Sequence, residues 1–216
     1  IGQHLARMIN DNWTALIRRE FDLPSHLEIQ YETHYRRFLM PTIRGLEKGS
    51  KKRYAGLVGE GEGEHLVFKG LETVRTDWTP LAKAFQTRLY EMVFHDQDPS
   101  SYVRTMVDET RAGRHDDLLI YRKRLRQKLE EYQKNVPPHV RAARLADEEN
   151  LRRGLPQRYQ HRGTIAYLMT LNGPEPLEYR RSAVDYEHYI DKQLRPIADA
   201  ILPFVGESFE RICGQP

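Results

Sequence analysis

The run Ser50-Lys51-Lys52-Arg53-Tyr54-Ala55-Gly56 puts three cations directly before an aromatic side chain. Lys and Arg can neutralise phosphates, or reach acceptors in a minor groove, where every base pair offers one. Tyr54 could pack on a sugar or donate its hydroxyl to a phosphate. Three cations in a row also describe an ordinary solvated turn. A second segment, Phe68-Lys69-Gly70-Leu71-Glu72-Thr73-Val74-Arg75-Thr76-Asp77-Trp78, gathers Lys69, Arg75 and Asp77 around Gly70. Gly70 removes a side chain where a backbone could approach a ligand closely. The same residues fit a strand exit closed by an internal Arg–Asp or Arg–Glu pair.

Charge distribution points the same way. The net charge is +3, yet Arg111 to Arg162 hold 14 Lys/Arg against 7 Asp/Glu. A basic middle in a near-neutral chain suits a polyanion partner, and it also suits a set of solvated helix faces. Other chemistry finds little support. Nine histidines are scattered, none paired at zinc-site spacing. The single cysteine, Cys213, allows neither an internal disulfide nor a thiolate cage, and fits a reducing, cytoplasmic setting. Asp116-Asp117 and Asp147-Glu148-Glu149 read as helix-terminus and surface charges. No signal peptide is evident, and no apolar run approaches the ~18 residues of a membrane span.

These side chains need elements to hold them. The chain of 216 residues is 39% apolar and 30% charged, enough for one core or two small ones under a charged surface. Ile1 to Phe21 has helical spacing, and Ile1 opens directly into it, which reads as an internal start. Leu27 to His34 alternates like a half-buried strand, and Arg37 to Thr42 reads as an edge strand ending at Pro41. Tyr54 to Val58 and Leu66 to Phe68 form a hairpin around Gly59-Glu60-Gly61-Glu62-Gly63. From Thr79-Pro80 the pattern turns helical: Leu81, Phe85, Leu89 and Met92, then Tyr102, Val103, Met106 and Val107. Asp117 to Tyr132 reads as a third helix, with Leu118, Leu125, Leu129 and Tyr132 inward. Pro137-Pro138 opens a helix that ends at Gly154, Thr164 to Thr170 is β-like, and Asn172-Gly173-Pro174 is a turn. Tyr186 to Phe204 is a last helix, kinked or restarted at Pro196. Tyr167, Tyr186 and Tyr189 sit on apolar faces and read as core. The class is α+β: a helix with an antiparallel sheet to about Trp78, then a mainly helical subdomain.

With these elements in place, KKRYAG followed by a hairpin and KGLETVRTDW resembles the family B DNA polymerases. Further matches follow in family order. They are Tyr121-Arg122-Lys123-Arg124-Leu125, Val136-Pro137-Pro138-His139-Val140-Arg141-Ala142-Ala143-Arg144, Gly163-Thr164-Ile165-Ala166-Tyr167, and Asp185 to Pro196. Each piece alone is weakly specific, and the order makes the set strong. KGLETVRTDWTPLA and NVPPHVRAARLADEEN look most like the family's bacterial branch.

The resemblance implies the end of the palm (1–78) and the thumb (79–216) of a DNA-directed DNA polymerase. Lys52 and Tyr54, with Lys51 and Arg53 beside them, would contact the primer near its 3′ end. Lys69 and Arg75 would line the minor groove or backbone of the new duplex. Arg122, Lys123, Arg124, His139, Arg141 and Arg144 would meet phosphates further up. Partners would be primer-template DNA and dNTPs, with a sliding clamp a further candidate, although Gly206 to Pro216 show no convincing clamp-binding peptide. The family's Mg²⁺ ligands lie in two aspartate segments upstream, and neither occurs here. Glu32 matches an acidic position near that metal site and ranks as an accessory carboxylate or a plain strand glutamate. The chain alone is therefore expected to bind no metal and to be inactive. The alternative is a stand-alone, non-catalytic nucleic-acid-binding module.

Overall fold

The structure, a computed structural model, describes residues 1–41 and 52–214. Helix α1 (Gly2–Phe21) comes first and closes at Asp22 in the left-handed conformation, whose N–H donates to the Arg18 carbonyl. Its apolar stripe lacks cover among the described residues: no α1 residue is buried, and Leu5 and Met8 are 49% and 54% exposed.

Strands β1 (Arg37–Leu39), β2 (Tyr54–Val58) and β3 (His65–Lys69) form an antiparallel sheet in that order. The β2–β3 hairpin expected from its glycine-rich turn forms, in a register that sets Tyr54 opposite Lys69 and Val58 opposite His65. Leu27 to His34, expected as a strand, is not one. A strand needs a ladder partner for its backbone, and at Ile29 the partner is a side chain. The Asn10 carboxamide donates to the Ile29 carbonyl at 2.9 Å and accepts from the Ile29 N–H at 2.8 Å.

Helix α2 (Pro80–Phe94) starts where Thr79 Oγ1 accepts from the Ala82 N–H, and α3 (Ser100–Arg111) follows. The helix expected from Asp117 to Tyr132 does not form. Strand β4 (Tyr121–Leu125) lies there between two short 3₁₀ turns. It pairs antiparallel with β5 (Gly163–Thr170), which pairs with β6 (Gly173–Pro176), making a second three-stranded sheet. The apolar spacing of Leu118, Leu125 and Leu129 fitted a helix, but the β5 backbone supplies the hydrogen bonds that decide for a strand.

Helix α4 (Pro138–Arg152) covers one face of this sheet. The last helical run is α5 (Tyr186–Tyr189), a π-helical segment Ile190–Leu194, and α6 (Arg195–Ile201). The restart expected at Pro196 is this register change, which suits a residue without an N–H to donate. Helix α7 (Phe209–Cys213) ends the described chain. No helix among the described residues is long and apolar enough to cross a membrane.

Two cores result. One joins Ala55 and Leu57 of β2 to Phe85 and Leu89 of α2, Val103 of α3 and Leu194 and Ile197 of the last helical run. The other joins Leu125 of β4 and Ile165 of β5 to Val140, Ala143 and Ala146 of α4. Tyr121 packs against both, stacked on Tyr167 at 5.1 Å and on Tyr189 at 5.6 Å between ring centroids. The expected α+β class is the class observed, with a sheet in each half.

Candidate nucleic-acid interface

The first group of cations stands where the chain enters β2. Lys52 and Lys69 are exposed, and Lys69 lies at the end of β3 opposite Tyr54. Lys51, expected beside them, lies outside the described residues. Tyr54 packs with Phe38 and Tyr35, at 5.1 and 6.0 Å between centroids, so its ring is fixed by an aromatic trio. Gly70 has φ +63°, and a Cβ there would fall 2.2 Å from the Lys52 carbonyl oxygen. The close approach that Gly70 permits is thus to the chain's own turn.

Arg53 faces inward. Its guanidinium pairs with Glu72, which is only 7% exposed, and Glu72 also accepts from Gln86 Nε2 at 2.7 Å. Gln86 Oε1 in turn accepts from the Thr73 N–H and hydroxyl at 2.8 and 2.6 Å. A buried carboxylate persists only when paired and hydrogen-bonded, and this one ties the Lys52–Tyr54 entry to α2. Arg53 therefore positions the turn, leaving Lys52 and Tyr54 at its surface.

The second group centres on Asp77. Arg75 donates to it through two nitrogens, Nε to Oδ1 at 3.0 Å and Nη2 to Oδ2 at 2.7 Å. Lys123 Nζ stands 3.7 Å from Oδ2. The Arg75 hydrogen bond, working against partial burial, holds the Asp77 carboxyl down at about 2, so it is charged at neutral pH. An internal Arg–Asp or Arg–Glu pair was expected as one reading of this segment, and Asp77 is the partner found. The arrival of Lys123 was not expected, because only the strand fold of β4 and its placement bring it there.

Strand geometry also divides the basic run. Side chains alternate in β4, so Lys123 lies on the same face as Tyr121 and Leu125, the face α4 covers. Arg122 and Arg124 are exposed on the other. On the α4 side His139 sits in the first turn of that helix, its ring held below the ordinary histidine range by burial and by Lys123 and Arg126. Arg141 reaches over Gly173, where a Cβ would meet its Nη2 at 2.9 Å. Arg144 is committed inside: Nη2 donates to the Leu129 and Tyr132 carbonyls at 3.0 and 2.7 Å, bracing the β4–α4 connection. Tyr167 and Tyr189, expected in the core, are 7% and 0% exposed.

Two-metal phosphoryl transfer needs converging carboxylates. Glu32 lies exposed in an irregular segment, and the described residues hold no group of three His, Cys, Asp or Glu that could share an ion. The described residues do not fit a metal pair.

Comparison with known proteins bears on the family and the fold. The family model for DNA polymerase family B matches residues 1–213. DNA polymerase II of Escherichia coli (strain K12) is 58% identical over 209 residues, covering 97% of this chain and 27% of that protein. DNA polymerase 2 of Aeropyrum pernix is 32% identical over 177 residues, covering 76% of this chain and 21% of its own length. Among solved structures, the family B DNA polymerase from Pyrobaculum calidifontis superposes with a TM-score of 0.58 at 27% identity, over 89% of this chain and 24% of that one. The chain thus spans roughly a quarter of each relative, 27%, 21% and 24% in turn. Its family-ordered basic segments, its fold and these matches agree: the chain belongs to DNA polymerase family B.

Proposed function

We propose that this chain is the palm end (1–78) and thumb (79–216) of a DNA-directed DNA polymerase. It grips primer-template duplex through phosphates and minor-groove acceptors and incorporates no nucleotide by itself. In the intact enzyme, dNTP and Mg²⁺ are handled by segments outside this chain. A polymerase must hold every sequence, so its grip should rest on the backbone and on degenerate minor-groove acceptors instead of a major-groove code.

The observation that carries the reading is the entry to β2. There Lys52 and Lys69 are exposed on either side of Tyr54 while Arg53 is drawn into the protein by Glu72. A solvated basic turn has no need of a buried carboxylate to orient it. Lys52 and Tyr54 take the primer strand near its 3′ end, with Lys51 beside them. Lys69 and Arg75 follow the new duplex. Lys123 stands beside Arg75 at Asp77, and His139 and Arg141 meet phosphates further up, with Arg122 and Arg124 on the opposite face of β4. Arg53 and Arg144 act by holding the chain in shape.

The test is fluorescence anisotropy of labelled primer-template, blunt duplex and single strand across a salt series, for the unchanged chain and for Lys52→Ala/Tyr54→Ala. Affinity that falls steeply with salt, and further in the double variant, is the expected result. Templated extension by the purified chain would overturn the non-catalytic part of the reading.

A further inference from the structure

Asp77 joins cations that the sequence keeps far apart. Arg75 leaves the first sheet through the turn after β3, and Lys123 stands on β4, an edge strand of the second sheet. Both reach one carboxylate, Arg75 by a two-pronged contact at 3.0 and 2.7 Å and Lys123 at 3.7 Å. The three heads stay at the surface, with side chains 49%, 34% and 30% exposed for Arg75, Lys123 and Asp77. Two cations against one anion leave the cluster net positive. The Asp77 contacts use Arg75 Nε and part of Nη2, so the remaining guanidinium hydrogens and the Lys123 ammonium hydrogens are still available to an oxyanion. A guanidinium already fixed by a carboxylate loses less freedom when it binds.

We infer that Arg75 and Lys123 form one phosphate seat spanning the two sheets, and that Asp77 is the positioning residue that sets them for it. The ligand is a single phosphodiester oxyanion of the duplex, bridged by a guanidinium from one sheet's exit and an ammonium from the other sheet's edge. Asp77 does not touch the phosphate; it holds the two cations at one spacing. The inference rests on the duplex-grip reading above and adds to it the residue that couples the two halves of the grip. A carboxylate that merely competed with phosphate for the same cations would have the opposite effect when removed, which makes the sign of the change decisive.

The experiment is anisotropy of a labelled primer-template duplex, titrated against salt, with Asp77→Asn, Arg75→Ala, Lys123→Ala and the doubles that add Asp77→Asn to each alanine variant. Thermal melting of every variant is recorded alongside. Asp77→Asn keeps the shape and removes the charge. It is expected to weaken duplex binding about two- to fivefold, the scale of an exposed ion pair. Arg75→Ala and Lys123→Ala should each flatten the log–log salt slope by about 0.9, one phosphate contact. The Asn effect should shrink in either alanine background, because Asp77 acts through those side chains. Tighter or unchanged binding by Asp77→Asn overturns the inference. So does an Asn effect that persists in full in both alanine backgrounds, since that marks a general structural role. Absence of duplex binding by the unchanged chain at ~50 mM salt, where phosphate contacts are strong, overturns the grip reading and this inference with it. Binding by the unchanged chain with indifference to Asp77→Asn overturns the inference alone.

Discussion

The β2–β3 hairpin and strand β4 carry similar cations but hold them by different means. At the hairpin, the buried Glu72 draws the half-buried Arg53 inward and is itself held by Gln86 of α2, while Lys52 and Lys69 are exposed. At β4, no buried carboxylate intervenes among the described contacts of the run. The strand itself sorts the side chains, Lys123 to the α4 face beside Asp77 and Arg122 and Arg124 to the other. In one region a polar interior decides which cation turns inward; in the other, backbone alternation decides which face each cation takes. A basic run read as a list of contacts therefore overstates how many can meet one duplex at once.

The largest effect should come from removing the interior anchor. Glu72→Ala strands the Arg53 guanidinium and the Gln86 amide, and is expected to cost about 2–4 kcal/mol in urea unfolding. Arg53→Ala should cost less, since a third of its side chain reaches solvent. Equal and small losses in both would break the contrast between the regions. Gly70→Ala belongs to the same group: with φ +63° and the Lys52 carbonyl 2.2 Å from the new Cβ, it should destabilise by more than about 1 kcal/mol.

A smaller effect separates two arginines on α4. Arg144→Ala breaks two bonds to backbone carbonyls and should lose about 1–3 kcal/mol of stability. Arg141→Ala, on an exposed side chain, should stay within about 0.5 kcal/mol and show itself in DNA affinity instead. Chemical denaturation beside anisotropy distinguishes the two.

Smaller again is the face test on β4. Lys123→Ala should flatten the salt slope by about one contact, whereas Arg122→Ala and Arg124→Ala, on the opposite face, should change it less. Equal changes in all three would mean that the duplex wraps both faces of the strand.

The smallest expected signal is in pH. Burial holds the His139 and His188 rings below the ordinary range, helped at His139 by Lys123 and Arg126. Their unfolded forms take up protons first, near pH 6.5. Stability should therefore be full above that pH and decline as pH falls from 6.5 toward the folded values. His95 is shifted upward by the Glu91 carbonyl and Glu64, so its contribution runs the other way, present below 6.5 and lost as pH rises through its folded value. Melting temperatures across pH 5 to 7.5 for His139→Gln and His188→Gln, compared with the unchanged chain, should show a flattened acid limb. An unaltered limb in both variants would remove these rings as its cause.

The sequence by itself determined what local physics can decide. Apolar spacing was enough for α1, α2 and α3. Glycine-rich turn chemistry was enough for the β2–β3 hairpin, and proline at the first turn for the starts of α2 and α4. An internal pair between Arg75 and a nearby Asp or Glu was visible as one reading, and the structure chose Asp77. Tertiary structure decided the rest, since each case depends on a partner distant in the chain. Tyr121 to Leu125 is a strand because β5 supplies its hydrogen bonds. Leu27 to His34 is not one, and within it the Ile29 backbone pairs with the Asn10 side chain of α1. Arg53 turns toward the protein because Glu72, itself held by Gln86, pairs with it there. Lys123 joins Asp77 because an edge strand of the second sheet comes to lie beside the exit of the first. Hydrophobic periodicity records which face of an element is apolar, and carries no record of which backbone or charge will stand opposite it.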